Sequence, residues 1–232
     1  HLFLSTEYDE TPFALQYEDE RLLLDNSYKI LEGDYDTLAA LSRMTLLNGI
    51  AAIIIGSTHA GSMGEHLISH YIDMFMGEKH PGTLHGEQVA VTTLLLSKIQ
   101  NQIINFSDTL VFKKLNITDN NFRELFGDKV FNQMYEQFKK KYFDGEKLDN
   151  LNNLLEKKWP EQKAILKKHL LPTESIEKAL KNCGAPTNNV ELRIPNNFYN
   201  LAIKNSFLLR DRFSYLDVAH YTNTLNDYFI KD

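Results

Sequence analysis

Helical spacing of apolar residues extends through almost the whole sequence, and this feature restricts the possible folds more than any other. The predicted helical segments are 36–56, 64–76, 86–104, 119–141, 147–168, 173–183 and 195–210. Prolines separate the later segments, and no segment has the alternating pattern of a strand. The sequence therefore predicts an all-α helical bundle that forms one domain over residues 1–232. An irregular, acidic N-terminal segment, residues 1–35, is expected to belong to it, with one or two helical turns as an alternative for residues 20–33.

The first predicted helix contains the most apolar run of the chain. We expect Asp36 to be its N-cap and Gly56 to end it. Its second half is apolar on all sides, which predicts burial in the middle of the domain. The run 46–56 is too short to span a bilayer, so no membrane partner is expected.

Composition excludes several classes of protein. The net charge is −6, so there is no basic field that would attract nucleic acid. One cysteine rules out an internal disulfide, and the N-terminus lacks the basic and apolar regions of a signal peptide. Both observations favour a cytoplasmic protein. Short groups of lysines within helical segments are expected to lie on solvated helix faces.

Four of the eight histidines lie close together in the sequence. His66, Ser69, His70 and Asp73 occur at i, i+3, i+4 and i+7, which places them on one face of a helix. His85 follows after a loop, at the start of the next helix. Neutral imidazoles from neighbouring helices suit Zn²⁺, Fe²⁺ or Ni²⁺, whereas Mg²⁺ prefers oxygen ligands. Spacing alone does not distinguish such a metal site from core or surface histidines.

The residues around these histidines carry a family resemblance. GEHLISHYIDM followed by LHGEQVAVTTL resembles the metal-site helices of the sn-glycerol-1-phosphate dehydrogenases, relatives of iron-containing alcohol dehydrogenases, glycerol dehydrogenases and dehydroquinate synthases. GAPTNNVELRIP and FLLRDRFSYLD resemble that family's late GAP and RDRYT-type segments. The resemblance covers residues 40–100 closely and 180–220 well. Met63 replaces an expected glycine, and Phe213 replaces the tyrosine of RDRYT.

The resemblance implies a set of site residues. His66 and His85 correspond to the family's metal-ligating histidines, with zinc, nickel or iron as the metal. His70 is the implied catalytic residue, in proton transfer or phosphate binding; the alternative is that it only orients its neighbours. The family's third ligand is an aspartate in a GD sequence. Asp34 lies too close to the histidine helix to match it, so we expect that ligand upstream of the first residue.

The resemblance also implies an activity. Family members reduce dihydroxyacetone phosphate to sn-glycerol 1-phosphate, a reaction of phospholipid metabolism, with a metal that polarises the carbonyl. Their N-terminal α/β domain binds NAD or NADP, and no strand with a glycine-rich turn is found here. We therefore expect the C-terminal domain of a two-domain, dehydroquinate synthase-like enzyme, without cofactor-binding residues and inactive alone. The alternatives are a glycerol dehydrogenase-like polyol oxidoreductase and a non-catalytic helical oligomerisation module; a homo-oligomer is possible in each case.

Two arginines near the end of the chain have two open interpretations. Arg210 and Arg212 have the planar, multidentate geometry that suits a phosphate. They can equally pair with Asp211 and Asp217 in the local helix, which is the favoured interpretation.

Other candidates have simpler explanations. Glu87 can accept a hydrogen bond from a ligand imidazole, but an acidic residue in the first turn of a helix is the favoured explanation. His59 and His80 are expected to be surface residues, and Trp159 and Cys183 are expected to serve packing.

Overall fold

The computed structural model describes residues 2–4, 6–106 and 108–231. Within these ranges the regular structure is entirely helical, so the all-α prediction is confirmed. The α-helices are α1 (Thr11–Asn26), α2 (Tyr35–Ile54), α3 (Gly64–Phe75), α4 (His85–Phe106), α5 (Asp119–Phe126), α6 (Asp128–Lys140), α7 (Gly145–His169), α8 (Thr173–Asn182), α9 (Asn196–Asn205) and α10 (Tyr215–Tyr221). Short 3-10 turns occur at Ser27–Lys29, Gly77–Lys79, Ser206–Leu208 and Leu225–Tyr228.

Helix α3 lies in the core and packs against α4, α9 and the turn Ser206–Leu208. Leu67, Ile68 and Ile72 are almost completely buried on its apolar face. Burial of each such side chain contributes about 1.5–3 kcal/mol. Because this face is directed into the core, the polar face with the histidines is directed away from it.

The predicted segment 119–141 forms two helices rather than one. Gly127 ends α5 and precedes α6 with a φ of 74°, a left-handed conformation that favours glycine and breaks the helix. Phe122 and Phe131 face each other edge-on across this break, at 6.5 Å between ring centroids. The two short helices thereby bury their aromatic residues in a common core.

The prediction that the N-terminal segment is irregular is wrong, because the segment contains α1. Its acidic sequence lacks a strongly apolar face, and the helix is stabilised by packing against α2 and α8. Asp19 accepts a hydrogen bond from Arg43 Nε on α2 at 2.9 Å. The N-cap of α2 is Asp34 rather than the predicted Asp36, and its carboxylate accepts from the Thr37 backbone N–H at 3.0 Å.

The second half of α2 is exposed, which corrects the prediction that it is buried. Leu46 is 69% exposed and Ile53 is 81% exposed. The helix packs mainly against α1, and its buried residues are the small side chains Thr37, Ala40 and Ala51. The run 46–56 is too short by itself, but by length and composition the whole of α2 is apolar enough to cross a membrane, and only 17% of its most apolar window is buried. Composition alone thus indicated the apolar character of α2 but not its environment.

Candidate metal centre

Three imidazoles converge at the edge of the α3–α4 pair. His66 and His70 lie one turn apart on α3, and His85 is the first residue of α4. His66 Nδ1 lies 3.0 Å from His85 Nε2, and the His70 and His85 ring centroids are 5.2 Å apart. One ring nitrogen from each residue lies within 4.8 Å of the others. The predicted site residues are therefore neighbours, and their roles as ligands or catalyst stay predictions.

Local contacts hold the two helices in this register. Thr92 Oγ1 on α4 donates to the Glu65 carbonyl on α3 at 2.9 Å. Glu87 Oε2 accepts from the Leu84 backbone N–H at 2.8 Å, so it caps the start of α4 immediately before His85. The favoured explanation of Glu87 as a residue of the helix's first turn is confirmed.

The electrostatic surroundings favour neutral imidazoles. Partial burial is the main cause that lowers the pKa values of His66 and His70. The positive charge of Arg212 lowers the pKa of His66 further, and that of Arg210 acts in the same way on His70, whereas Glu65 opposes the shift at His66. A neutral imidazole has the free lone pair that a metal requires, so these shifts favour ligation.

A polar network lies behind His85, with Ser69 and Gln88 buried and Asp73 at its exposed end. Ser69 Oγ is 2.8 Å from His85 Nδ1 and donates to Gln88 Oε1 at 2.7 Å. Gln88 Nε2 in turn donates to Asp73 Oδ1 at 2.9 Å. The sequence pattern placed Ser69 and Asp73 on the histidine face but missed Gln88. Its position one turn after His85 on α4 was the available signal.

His80 belongs to the same network and is not simply a surface residue. Its Nε2 lies 3.2 Å from Asp73 Oδ1, and its Nδ1 accepts from the Gly82 backbone N–H at 3.1 Å. Its side chain is 22% exposed, which corrects the surface prediction. His59, in contrast, is exposed as predicted and contacts Ser57 in the loop between α2 and α3.

The local pairing predicted for the two arginines is wrong. Asp211 pairs with Lys140 at 3.2 Å and Asp217 pairs with Lys141 at 2.6 Å. Lys141 is also buried, although its lysine group was expected to be solvated. Both carboxylates are thus engaged by lysines of another part of the chain.

Arg212 instead binds the loop that precedes α3. Its guanidinium donates to the Ser62 carbonyl and to Thr58 Oγ1. Arg210 is exposed and lies close enough to His70 to influence its pKa. The arginine segment therefore borders the histidine cluster.

The donor set fits a divalent transition metal. Imidazole nitrogens suit zinc, nickel or iron better than magnesium. Two ligand nitrogens on a tetrahedral zinc lie about 3.3 Å apart, given zinc–nitrogen distances near 2.0–2.1 Å. The 3.0 Å between His66 Nδ1 and His85 Nε2 differs from that by only a few tenths of an ångström. Asp34, which caps α2, is not part of this cluster.

Comparisons with known proteins agree with the sequence motifs. No protein-family profile matches the chain. Curated proteins named glycerol-1-phosphate dehydrogenase [NAD(P)+] match it, from Haloquadratum walsbyi with 33% identity and from Natronomonas pharaonis with 34%, each over 95 residues. These alignments cover 41% of this chain and 26% of each relative. A protein of the same name from Geobacillus stearothermophilus is 32% identical over 88 residues, 37% of this chain and 22% of that protein. The chain thus spans about a quarter of the length of the curated relatives that it matches, and its resemblance to the glycerol-1-phosphate dehydrogenases is confirmed over that stretch.

Proposed function

We propose that this chain provides the metal-binding and proton-transfer residues of a glycerol-1-phosphate dehydrogenase that reduces dihydroxyacetone phosphate to sn-glycerol 1-phosphate. The observation that carries the proposal is the convergence of His66, His70 and His85, with a nitrogen of each within 4.8 Å of the others. The similarity to curated proteins of that name supports the substrate class.

In this proposal His66 and His85 hold the divalent ion, which is zinc, nickel or iron. When bound, the ion supplies Lewis-acid polarisation of the substrate carbonyl. Partial burial lowers the pKa of His70, which lies one turn from His66, and so favours its neutral form. His70 can exchange a proton with the substrate oxygen, because an imidazole near neutrality both accepts and donates.

We propose Arg210 as the residue that binds the substrate phosphate. It is exposed near His70, whereas the Arg212 guanidinium is occupied by the loop at Ser62 and Thr58. A guanidinium presents a fork of donors that matches phosphate oxygens. Arg212 then acts on the same site indirectly, because it holds the loop that leads into α3.

The names of the relatives include NAD(P)+, and we propose the same cofactor class for this reaction. The aligned stretch is only about a quarter of each relative, so cofactor binding and a third metal ligand are assigned to regions outside it. We also propose a cytoplasmic location, with which the single free Cys183 is consistent.

Metal retention tests the ligand assignment. The protein encoded by the complete reading frame, which would supply the third ligand, and its His66→Ala and His85→Ala variants are loaded with Zn²⁺, dialysed and analysed by mass spectrometry for metal. We expect one retained ion in the wild type and a large loss in each variant. His59→Ala is the matched control, since His59 is exposed outside the cluster. Equal retention in all four proteins would rule out the site.

A reductase assay tests the reaction, with the protein encoded by the complete reading frame. We expect oxidation of NADH or NADPH with dihydroxyacetone phosphate. His70→Asn should lower kcat by about 10²–10⁴-fold while the metal is retained. Turnover of dihydroxyacetone alone would favour the polyol oxidoreductase, and stable self-assembly without turnover would favour the non-catalytic module.

A further inference from the structure

We propose that a hydrogen-bond chain from Asp73 through Gln88 and Ser69 holds His85 as its Nδ1–H tautomer. This leaves the Nε2 lone pair of His85 directed toward His66. Asp73, Gln88 and Ser69 are therefore positioning residues. The significance for metal binding rests on the proposed function, but the tautomer itself does not.

The first step is the orientation of the Gln88 amide. An ionised carboxylate only accepts hydrogen bonds, so the Gln88 group 2.9 Å from Asp73 Oδ1 must be the NH₂ group. Its second N–H is directed to Thr83 Oγ1 at 3.2 Å. The carbonyl oxygen Oε1 is consequently on the side of Ser69. Gln88 is completely buried, so water does not replace these partners.

The second step is the direction of the Ser69 hydroxyl. A hydroxyl has one proton, and Ser69 Oγ donates it to Gln88 Oε1 at 2.7 Å, because that oxygen cannot donate. The contact of 2.8 Å between Ser69 Oγ and His85 Nδ1 then requires the proton to be on Nδ1. Asp73 Oδ2, 3.5 Å from the same Nδ1, also favours a proton there electrostatically. In neutral His85 the free lone pair is thus on Nε2.

His80 independently supports the acceptor role of Asp73. The Gly82 backbone N–H donates to His80 Nδ1 at 3.1 Å, so that nitrogen carries no proton. Neutral His80 must therefore be protonated at Nε2, which is 3.2 Å from Asp73 Oδ1. His80 and Gln88 both donate to Asp73 Oδ1, and this shared acceptor brings His80 Nε2 within 3.0 Å of Gln88 Nε2. A reversed Gln88 amide would leave its oxygen facing the Asp73 carboxylate.

The consequence concerns the nitrogen that faces the cluster. His85 Nε2 lies 3.0 Å from His66 Nδ1. These two nitrogens are the ones that would hold the proposed ion. In the other tautomer, Nε2 would carry a proton and could not ligate. A hydrogen-bonded partner on the remote ring nitrogen is a common way to orient metal-binding histidines, and loss of it typically lowers metal affinity 10–100-fold.

Nitrogen NMR of the metal-free chain tests the tautomer directly. With ¹⁵N-labelled histidine, long-range proton–nitrogen correlation spectra distinguish protonated from unprotonated ring nitrogens. We expect His85 to be protonated at Nδ1 in the wild type. In Gln88→Met the Ser69 hydroxyl loses its acceptor and is free to donate to His85, so both tautomers should appear.

Thr92→Val is the matched control, since it removes another buried hydroxyl between α3 and α4. It should leave the tautomer unchanged. In Zn²⁺ titration calorimetry, Gln88→Met should bind 10–100-fold more weakly than the wild type and Thr92→Val should not. A wild-type His85 protonated at Nε2 would overturn the proposal, and so would an unchanged tautomer in folded Gln88→Met. The predicted tautomer without zinc binding would instead contradict only the proposed function.

Discussion

Lys141 Nζ lies 2.6 Å from Asp217 Oδ1, and the two side chains are only 2% and 1% exposed. Lys141 also donates to the Arg212 carbonyl at 2.9 Å, and Asp217 Oδ2 accepts from the Ser214 backbone N–H at 2.8 Å. The ion pair therefore joins the end of α6 to the start of α10. It also fixes the backbone of Arg212, whose side chain holds the loop before the histidine helix.

Removal of one partner of this pair should be strongly destabilising. We expect Lys141→Met to lower the free energy of unfolding by about 3–5 kcal/mol, because it leaves a buried carboxylate without compensation. Lys141→Met combined with Asp217→Asn should recover much of that loss, since neither charge remains. Urea denaturation of both single variants and the double variant measures the coupling. Additive effects would contradict the prediction.

The close approach of α3 to α10 should make Gly64 sensitive to substitution. A Cβ atom at Gly64 would lie 2.9 Å from Ser214 Oγ and 3.1 Å from Leu96 Cδ1. We expect Gly64→Ala to destabilise the protein by about 1–3 kcal/mol through overpacking. Gly86→Ala is the matched control, since nothing lies within 4 Å of its added Cβ in the first turn of α4. It should be neutral or stabilising by up to about 1 kcal/mol in thermal denaturation.

The exposure of α2 predicts opposite outcomes for neighbouring residues. Ile53→Lys should change the free energy of unfolding by no more than about 0.5 kcal/mol, because Ile53 is 81% exposed. Ala51→Leu should cost about 1–3 kcal/mol, because Ala51 is fully buried. Chemical denaturation of both variants checks the prediction. A large loss for Ile53→Lys would mean that this face is covered.

His220 should make the protein acid-sensitive. Burial lowers its pKa to about 3, helped by the charge of Lys141, and its ring stacks on Phe207. An unfolded-state histidine has a pKa of about 6.5, so the unfolded chain binds this proton first as the pH falls. The stability that neutral, buried His220 contributes is complete above pH 6.5. It declines by up to about 1.4 kcal/mol per pH unit as the pH falls toward 3.

The measurement is the free energy of unfolding between pH 7 and pH 4, for the wild type and His220→Asn. The variant should be less stable at pH 7 but should lose stability less steeply toward pH 4. Parallel curves for the two proteins would show that His220 is not buried in its neutral form.

Sequence by itself determined the helical class, the positions of most helices after residue 35 and the closeness of the histidines along the chain. These properties depend on local spacing: His66 and His70 share a helix face because they are four residues apart. The start of α4 at His85 likewise follows from local chemistry, in which Glu87 caps the preceding backbone.

Only the tertiary structure decided which polar and apolar groups are buried. Ile53 on an apolar helix is exposed, while Lys141 in a lysine-rich segment is buried beside Asp217. Gln88 joins Ser69 and Asp73 because α4 packs against α3, a long-range contact that residue spacing does not encode. Helical periodicity reports which face of a segment is apolar. Packing among all the helices decides what that apolar face contacts, because burial depends on the whole chain.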